Sequence, residues 1–391
     1  MLNQSLVLCN GCAACAAVCP KGAISMEPNN EGFLYPQINS ELCVSCGLCE
    51  KRCPIIGKYE LGVHDDIIYA VMNTDDSIRR LSSSGGVFRL LAERVLLEDG
   101  IVFGAKFDED FSVVHGCAEK LDDLEAFQGS KYVQSRIGNS YQRVKQCLES
   151  KRLVLFSGTP CQIAGLKSYL HQEHENLFCV DIVCHGVPSP KVWEKYCKEN
   201  EETTGSKIQY VSFRDKSTGW RDYHVTFRFR NDTVITKHHS KDAMMKAFIQ
   251  NICLRNSCYQ CKFKGIARQS DITLADFWGI ERILPHIDDD LGTTLMISHT
   301  DKGGRLFNAI RPNVIYEKVD ATNVLNLNPM MIDSASRHPK RNEFFMSLDT
   351  EPFESIVKRY CKEGIIAICK QALISRIDQI KRMTKCGGVK K

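Results

Sequence analysis

The 391-residue sequence predicts an α/β (α+β) protein in which a small cysteine-rich module precedes a larger mixed-sheet body and a helical C-terminal tail. Three observations lead to this prediction. A cysteine run is repeated near the N-terminus, strand-like and helix-like segments alternate from about Ile67, and the chain becomes polar and helical from about Asn328. A chain of this length is longer than one hydrophobic core usually accommodates. We therefore expect separate domains at residues 1–57, 65–327 and 328–391.

The N-terminal module is defined by an internal repeat. Four cysteines and a proline recur 34 residues further on with the same spacing, as Cys9, Cys12, Cys15, Cys19, Pro20 and then Cys43, Cys46, Cys49, Cys53, Pro54. Each run reads C-x2-C-x2-C-x3-C-P, which is the bacterial ferredoxin pattern in which the fourth cysteine binds the other cluster. The repeat therefore predicts a two-cluster ferredoxin domain.

The spacing also predicts how the thiolates are shared. Three thiolates on one tight loop can hold three corners of a 4Fe-4S cluster, but the loop cannot turn back for the fourth. One cluster is thus assigned to Cys9, Cys12, Cys15 and Cys53, and the other to Cys43, Cys46, Cys49 and Cys19. Gly11 and Gly47 would let the backbone wrap closely around each cluster. A pair of zinc sites is the alternative, since C-x2-C pairs also bind zinc.

Composition and charge limit the location and the partners. No signal peptide and no stretch of about 18 apolar residues is found, so a cytoplasmic protein without a transmembrane segment is expected. There, 20 cysteines indicate metal or redox chemistry rather than disulfides. The net charge of +4 is concentrated at the end of the chain, where residues 358–391 hold ten Lys/Arg and two Asp/Glu. No basic stripe with interleaved aromatic residues is present, so no nucleic-acid partner is expected.

The body is expected to be an α/β unit with a mixed sheet. Strands are predicted at residues 67–72, 101–107, 153–156, 177–184 and 208–213, and helices at residues 86–97, 137–150, 163–170 and 190–199. Residues 223–230 alternate between apolar and polar side chains before Asn231-Asp232, which predicts one arm of an antiparallel hairpin.

Four cysteines of the body stand in unusual positions. Cys161 and Cys184 each follow a predicted strand, and Cys258 and Cys261 form a C-x2-C pair. Four thiolates at one sheet edge would suit a third 4Fe-4S cluster. Buried unreactive thiols and a zinc site are the alternatives, and Cys253 could replace one ligand.

Several motifs of the body occur in a recognisable order. They are Ser-Ser-Ser-Gly-Gly at 82–86, Gly-Ser-Lys-Tyr at 129–132, Gly-Thr-Pro-Cys-Gln at 158–162, Cys-His-Gly-Val-Pro at 184–188 and Ser-Asp-Ile-Thr-Leu-Ala-Asp at 270–276. From about residue 65 to 345 the chain resembles the coenzyme F-420 hydrogenase/dehydrogenase beta-subunit family, with the ferredoxin module fused in front.

The resemblance implies a flavoprotein with FAD and a 4Fe-4S cluster in the body. The cluster ligands carried over are Cys161, Cys184, Cys258 and Cys261. The residues carried over as FAD contacts are Ser84, Gly85, Gly86, Ser130, Lys131, Tyr132, Asp276, Gly292 and Thr293. The residues themselves allow this, because a Ser cap with two glycines exposes N–H groups at a helix start. For residues 82–86 the alternative is a plain helix cap, and for residues 129–132 it is a surface turn.

The function expected is that of an iron-sulfur flavoprotein oxidoreductase. FAD would exchange a hydride with a small-molecule substrate or soluble carrier, and the clusters would pass single electrons to or from ferredoxin or a partner oxidoreductase subunit. The alternative is a non-catalytic electron-transfer subunit that links ferredoxin to a partner enzyme. A basic amphipathic helix is expected within residues 365–382, where it would contact its own domain, a second copy in a homo-oligomer, a partner or an anionic membrane surface.

Overall fold

The computed structural model describes residues 6–57, 66–321 and 327–361. The basic amphipathic helix expected within residues 365–382 lies outside the described residues. Among the helices that are described, none combines the length and the apolar character needed to cross a bilayer.

The N-terminal module has the twofold character of its sequence. An antiparallel pair of strands, β1 (Ile24–Pro28) and β2 (Leu34–Ile38), is accompanied by two short helices, α1 (Ala14–Val18) and α2 (Leu48–Lys51). Each helix begins within one of the repeated cysteine runs, so the two loops and the two helices correspond.

The backbone of the two cysteine loops repeats with the same offset as the cysteines. Gly11 and Ser45 are equivalent and have φ angles of 70° and 51°, while Ala13 and Gly47 have φ angles of 62° and 70°. Each loop therefore needs two left-handed residues, which are favourable mainly for glycine. Gly11 and Gly47 fill one such position in each copy, and Ser45 and Ala13 adopt the same conformation without being glycine.

The body is built on an eight-stranded mixed sheet with the order β13-β3-β12-β11-β7-β6-β4-β5. The strands are β3 (Ile67–Asn73), β4 (Ile101–Phe107), β5 (Val113–Ala118), β6 (Val154–Gly158), β7 (Leu177–Ile182), β11 (Ile272–Asp276), β12 (Thr294–Ser298) and β13 (Val314–Lys318). The four strands β4, β6, β7 and β11 are parallel, whereas β5, β12 and β13 run antiparallel to their neighbours. The predicted mixed sheet is confirmed.

Helices cover both faces of this sheet. The helices of the body are α3 (Asp76–Leu81), α4 (Val87–Leu96), α5 (Ser140–Glu149), α6 (Pro160–Leu170), α7 (Pro190–Thr204), α8 (Ala243–Ile249), α9 (Ile280–Ile283) and α10 (Asp301–Ile310). Apolar residues of α4 and α10 form one core with the sheet, while α5 and α6 form a second core with β4, β6 and β7. Both faces of the central strands are thus buried, as in other sheets with parallel strands.

A second, smaller sheet lies beside the body. Its order is β10-β9-β8, with β8 (Ile208–Asp215), β9 (His224–Phe229) and β10 (Val234–His238) all antiparallel. The hairpin predicted from residues 223–230 is therefore present as β9 and β10. The sheet shares a core with α7, α8, α12 (Arg341–Ser347) and α13 (Phe353–Tyr360), and the short helix α11 (Pro329–Ile332) precedes them.

Candidate functional site

One edge of the large sheet collects residues from five chain segments. Parallel strands present their carboxyl ends at the same edge, and that edge is where α/β sheets bind ligands. Cys161 lies in the first turn of α6 after β6, Cys184 follows β7, and Asp276 ends β11. Because β12 runs the opposite way, Thr293 just before it lies at this edge as well, and the Asn73 N–H at the end of β3 donates to the Gly85 carbonyl at 2.8 Å.

The first ferredoxin site is a cleft lined by the four cysteines that the spacing assigns to one cluster. Cys9, Cys12, Cys15 and Cys53 line it together with Asn10, Ala13, Met26, Pro36, Pro54 and Ile55. The fourth cysteine comes from the second run, so the chain crosses over in the expected way. Cys12 and Cys15 are nearly buried, at 8% and 9% exposure, and burial raises the pKa of Cys15 to about 12.

The second ferredoxin site is more open. Cys19 and Cys49 pack on the same small apolar cluster with Ile24 and Met26, which brings the fourth cysteine of the first run to the second loop. Cys43 and Cys46 of that loop are exposed. This module therefore has one enclosed and one solvent-facing group of thiols.

The four cysteines of the body surround a third cleft. Cys161, Cys184, Cys258 and Cys261 line a space whose empty volume is about 590 Å³, including its opening to solvent. Among the described residues, no three His, Cys, Asp or Glu side chains lie close enough together to hold a single metal ion. Cys253 is not among the lining residues and is fully buried in the core of the smaller sheet.

The charge of this third cleft is uniformly positive apart from its thiols. Its lining includes the cations Arg255, Lys262, Lys264 and Arg268, and no Asp or Glu is found among the described residues that line it. Burial raises the pKa of Cys184 to about 11 and that of Cys258 to about 12, while nearby cations oppose this rise. Cations in this position would balance the negative charge of four thiolates and of a cluster bound to them.

The first and third clefts adjoin each other. Asn10 and Ile55 line both of them. A Cβ added at Gly165, on α6, would lie 2.8 Å from the Cβ and 3.0 Å from the Sγ of Cys12. A ligand position of the first cleft thus packs directly against the helix that carries Cys161.

The segments singled out as flavin contacts also meet at this sheet edge. The Ser84 hydroxyl donates to the Thr293 carbonyl at 2.7 Å, and the hydroxyls of Ser83 and Ser130 are 2.7 Å apart. A Cβ at Gly292, where φ is +103°, would lie 2.8 Å from the Ser84 carbonyl oxygen. The structure therefore joins three loops that are far apart in sequence.

The helix cap of one of these loops differs from the sequence-based expectation. Gly86, with φ 78°, occupies the position before α4, and no side chain caps that helix. The expected serine cap is wrong because the Ser84 hydroxyl bonds across to the loop before β12 instead. The ammonium of Lys131 donates to the carbonyls of Ala126 and Gln128 at 2.9 and 2.8 Å, so it is held within its own turn.

Arg214, at the end of β8, is a site residue that the sequence did not reveal. Its Nη1 donates to the Asp276 carboxylate at 2.9 Å and to the Tyr132 hydroxyl at 3.2 Å. Its guanidinium lies over the rings of Tyr223 and Trp278, at 4.2 and 5.3 Å. Arg214 is 5% exposed, yet its Nε and Nη2 are buried and have no hydrogen-bond partner in the part of the chain that the structure describes. Such unpaired buried donors are costly and mark a place where a ligand group could be accepted.

Lys216, two residues further on, binds the same loops together. Its ammonium donates to the carbonyls of Arg79, Ser84 and Leu291 at 2.9, 2.7 and 2.8 Å. Burial, with a smaller contribution from the charge of Arg214, lowers the pKa of Lys216 to about 7. Nothing in the local sequence distinguishes this lysine from a surface lysine at a strand end.

Other polar residues near the edge have structural partners. Asp289 forms a bidentate pair with Arg79, and Asp288 and Asp290 both bind Arg221, so the three consecutive acids hold the loop in place. His185 lines the third cleft, and its Nε2 lies 2.5 Å from the Asn251 side-chain oxygen. Trp278 stacks on Trp220 with 4.8 Å between ring centroids.

Comparison with protein families matches both parts of the chain. Residues 151–323 match the model for the C terminus of the coenzyme F420 hydrogenase/dehydrogenase beta subunit, and residues 8–55 match the model of the 4Fe-4S dicluster domain. The two matches fall on the body with its third cleft and on the module with the repeated cysteine runs.

Individual relatives are distant. The chain is 24% identical over 373 residues to the coenzyme F420-dependent sulfite reductase of Methanocaldococcus jannaschii, covering 90% of this chain and 54% of that protein. It is 20% identical over 213 residues to an F(420)H(2) dehydrogenase subunit of Methanosarcina mazei, covering 49% of this chain and 59% of that protein. The chain thus spans little more than half the length of these curated relatives.

A solved structure gives a further comparison. A chain of the F420-reducing NiFe hydrogenase complex from Methanosarcina barkeri is 17% identical, with a TM-score of 0.48 and coverage of 70% of this chain and 89% of that chain. The family matches rest on sequence and agree with the positions of the cysteine motifs. The chain therefore carries a segment that matches the 4Fe-4S dicluster domain, followed by a segment that matches the C terminus of the coenzyme F420 hydrogenase/dehydrogenase beta subunit.

Proposed function

We propose that this chain is an iron-sulfur flavoprotein oxidoreductase with three 4Fe-4S clusters and one FAD. The third cleft is the observation that carries the proposal, because four cysteines and four cations meet there beside the first ferredoxin site. FAD would supply hydride chemistry and the conversion between two-electron and one-electron transfer. The residues of this chain would bind these groups, hold them close together and limit the access of water.

A third cluster fits the cleft better than a zinc ion. Zinc binds thiolates at about 2.3 Å in a tetrahedron, so its ligands lie close to one another. Here the four thiols surround an open space, and no three candidate ligands among the described residues are close enough for one ion. The positive lining would balance the negative charge of a thiolate-bound cluster.

The flavin site is proposed at the loops joined by Ser84, Thr293 and Ser130. The unpaired buried donors of Arg214 support it, since an anionic or carbonyl group of a flavin would accept their hydrogen bonds. Tyr132 and Asp276 both accept hydrogen bonds from Nη1 of Arg214. The N–H groups of Nε and Nη2 are therefore left for a ligand. The same residues would position the flavin at the edge of the sheet that also carries the third cleft.

A small-molecule substrate or soluble carrier is proposed to exchange the hydride. A deazaflavin of the F420 type is a candidate, since two relatives are named for it. Ferredoxin or a partner oxidoreductase would exchange electrons at the second ferredoxin site, where Cys43 and Cys46 are exposed. The domain boundaries at residues 57, 65 and 327 and a cytoplasmic location are part of the same proposal.

The test is anaerobic purification with iron, sulfide and flavin analysis. About twelve iron atoms and one FAD per chain are expected, since each 4Fe-4S cluster holds four irons. Cys161→Ser should remove about four irons and leave the ferredoxin clusters. Cys253→Ser is the matched control, because this buried cysteine does not line the cleft and its substitution should leave the iron content unchanged.

The outcomes separate the candidate functions. About eight irons in the unaltered protein would contradict the third cluster. Full iron content without bound or bindable FAD would contradict the flavoprotein and favour a non-catalytic electron-transfer subunit. If FAD is present, reduced ferredoxin, NAD(P)H and reduced deazaflavin should be compared as donors by following the bleaching of the flavin absorbance.

A further inference from the structure

Arg255 occupies the wall between the first and third clefts. It lies three residues before Cys258 and lines the third cleft, while its Nε donates to the Cys9 carbonyl in the first cysteine loop at 2.8 Å. Its Nη2 donates to the Leu34 carbonyl at 2.9 Å and its Nη1 to the Gln134 side-chain oxygen at 3.0 Å. The side chain is completely buried, at 0% exposure.

The environment of Arg255 does not neutralise its charge. The three acceptors described for its guanidinium are two carbonyl oxygens and one amide oxygen, none of which is a carboxylate. The rings of Tyr35 and Phe33 lie at 4.1 and 5.4 Å from it and attract the cation through their π faces, but they carry no net charge. Arg255 is therefore a buried cation without an ionised partner among the described residues.

The contrast with Arg341 makes this unusual. Arg341 joins the same two parts of the protein and is 1% exposed, but it forms a bidentate pair with the Glu31 carboxylate at 2.6 Å for both bonds. A buried charge is generally retained only where an opposite charge compensates its loss of hydration. The compensation for Arg255 must come from something that binds beside it.

The clefts on either side of Arg255 would hold groups of opposite charge. A 4Fe-4S cluster with four thiolates is anionic, and its charge becomes more negative by one unit when it is reduced. A buried cation nearby stabilises the reduced form more than the oxidised form because the interaction is strong in a low-dielectric interior. Net charge, hydrogen bonds to the sulfurs and solvent exposure all contribute to the reduction potential of a cluster.

We propose that Arg255 is the shared counter-ion of the first ferredoxin cluster and the third cluster, and that it sets their reduction potentials. This inference rests on the proposed function, since it requires both clusters. Arg255 is a positioning residue that fixes the Cys9 loop and supplies charge, and it takes no part in the hydride step. Three other cations line the third cleft. Lys262 is exposed and Lys264 is partly exposed, so water screens their charges, and Arg268 lies 3.9 Å from the Asp181 carboxylate.

The experiment is an anaerobic redox titration followed by electron paramagnetic resonance on the full chain. Arg255→Met removes the charge, Arg255→Lys keeps it, and Arg341→Met removes a contact of similar size that is already neutralised. In Arg255→Met the equilibrium constant for reducing at least one of the two clusters should fall tenfold or more. For a one-electron couple this lowers the reduction potential by 59 mV or more. Arg255→Lys and Arg341→Met should stay within a threefold change.

Iron analysis of the same samples completes the test. Full iron content in Arg255→Met with unchanged potentials overturns the inference, as does an equal fall in Arg255→Lys and Arg255→Met. If Arg255→Met loses iron, retention of iron and potential in Arg255→Lys supports the role of charge, and loss in both variants overturns it. Failure of the proposed function is read separately, from the iron and FAD content of the unaltered protein.

Discussion

Gly165 provides a direct test of how closely the ferredoxin module packs on the body. It lies inside α6, where alanine would ordinarily be favoured over glycine by about 1 kcal/mol. A Cβ at this position, however, would be 2.7 Å from the Tyr141 hydroxyl, 2.8 Å from the Cβ of Cys12 and 3.0 Å from its Sγ. Atoms this close must move, so Gly165→Ala should push Cys12 out of place.

The magnitude follows from these distances. Overpacking a close interior contact costs about 1–3 kcal/mol, which offsets or exceeds the gain in helix propensity. The expected net change in unfolding free energy is therefore a loss of about 0–2 kcal/mol. The larger effect should be local, because Cys12 lines the first ferredoxin cleft and is 8% exposed. About four of the expected twelve irons should be lost or bound more weakly.

Gly304→Ala is the matched control. Gly304 also lies inside a helix, α10, but the nearest heavy atom to an added Cβ is the Ser298 hydroxyl oxygen at 3.7 Å, an ordinary contact. This variant should keep its iron and gain up to about 1 kcal/mol. Iron and sulfide analysis with denaturant unfolding of the anaerobic proteins measures both effects. A Gly165→Ala protein that is stabilised as much as Gly304→Ala and keeps all its iron would refute the reasoning.

Three further predictions concern other contacts. Glu31→Gln leaves the buried Arg341 without its carboxylate and should lower the unfolding free energy by about 3–5 kcal/mol, measured by denaturant unfolding; an unchanged unfolding free energy would show that the pair is not needed. Because burial lowers the pKa of Lys216 to about 7 from 10.5, the unfolded chain binds more protons between about pH 7 and pH 10, so stability should rise with pH in that window. Lys216→Met should flatten this rise; an identical slope in both proteins would contradict it. Gly292→Ala places a Cβ 2.8 Å from the Ser84 carbonyl at φ +103° and should weaken FAD binding at least tenfold in fluorescence titrations of the apoprotein; unchanged affinity would argue against a flavin at this loop.

The local parts of the fold were predictable from the sequence. Strand β4 occupies the residues 101–107 that were predicted, and β3, β6, β7 and β8 begin within one residue of their expected starts. Helix α7 was expected to end at residue 199 but continues to Thr204 before Gly205, which has a left-handed conformation. The predicted start of α6 at residue 163 was three residues late, because Thr159 and Gln162 form a capping box with Pro160 in the first turn.

Other elements depend on contacts that local patterns do not show. Strands β5, β12 and β13 were not predicted, and each is defined by its antiparallel partner in the large sheet. Whether a side chain is buried, and which charges surround it, also depends on the elements that pack against it. The resemblance implied that Asp276 contacts FAD, but its ion pair with Arg214, 62 positions earlier, could be known only once β8 was placed.

The sequence by itself determined the cysteine loops of the ferredoxin module, because three ligands of each cluster lie at short, fixed spacings that a linear pattern records. The crossing of Cys53 to the first loop follows from the same constraint. Only the tertiary structure decided which buried cations lie at the third cleft and which at the proposed flavin loops. Arg214, Lys216 and Arg255 act on residues 62 to 246 positions away, and the position of such a charge depends on how the strands and loops pack.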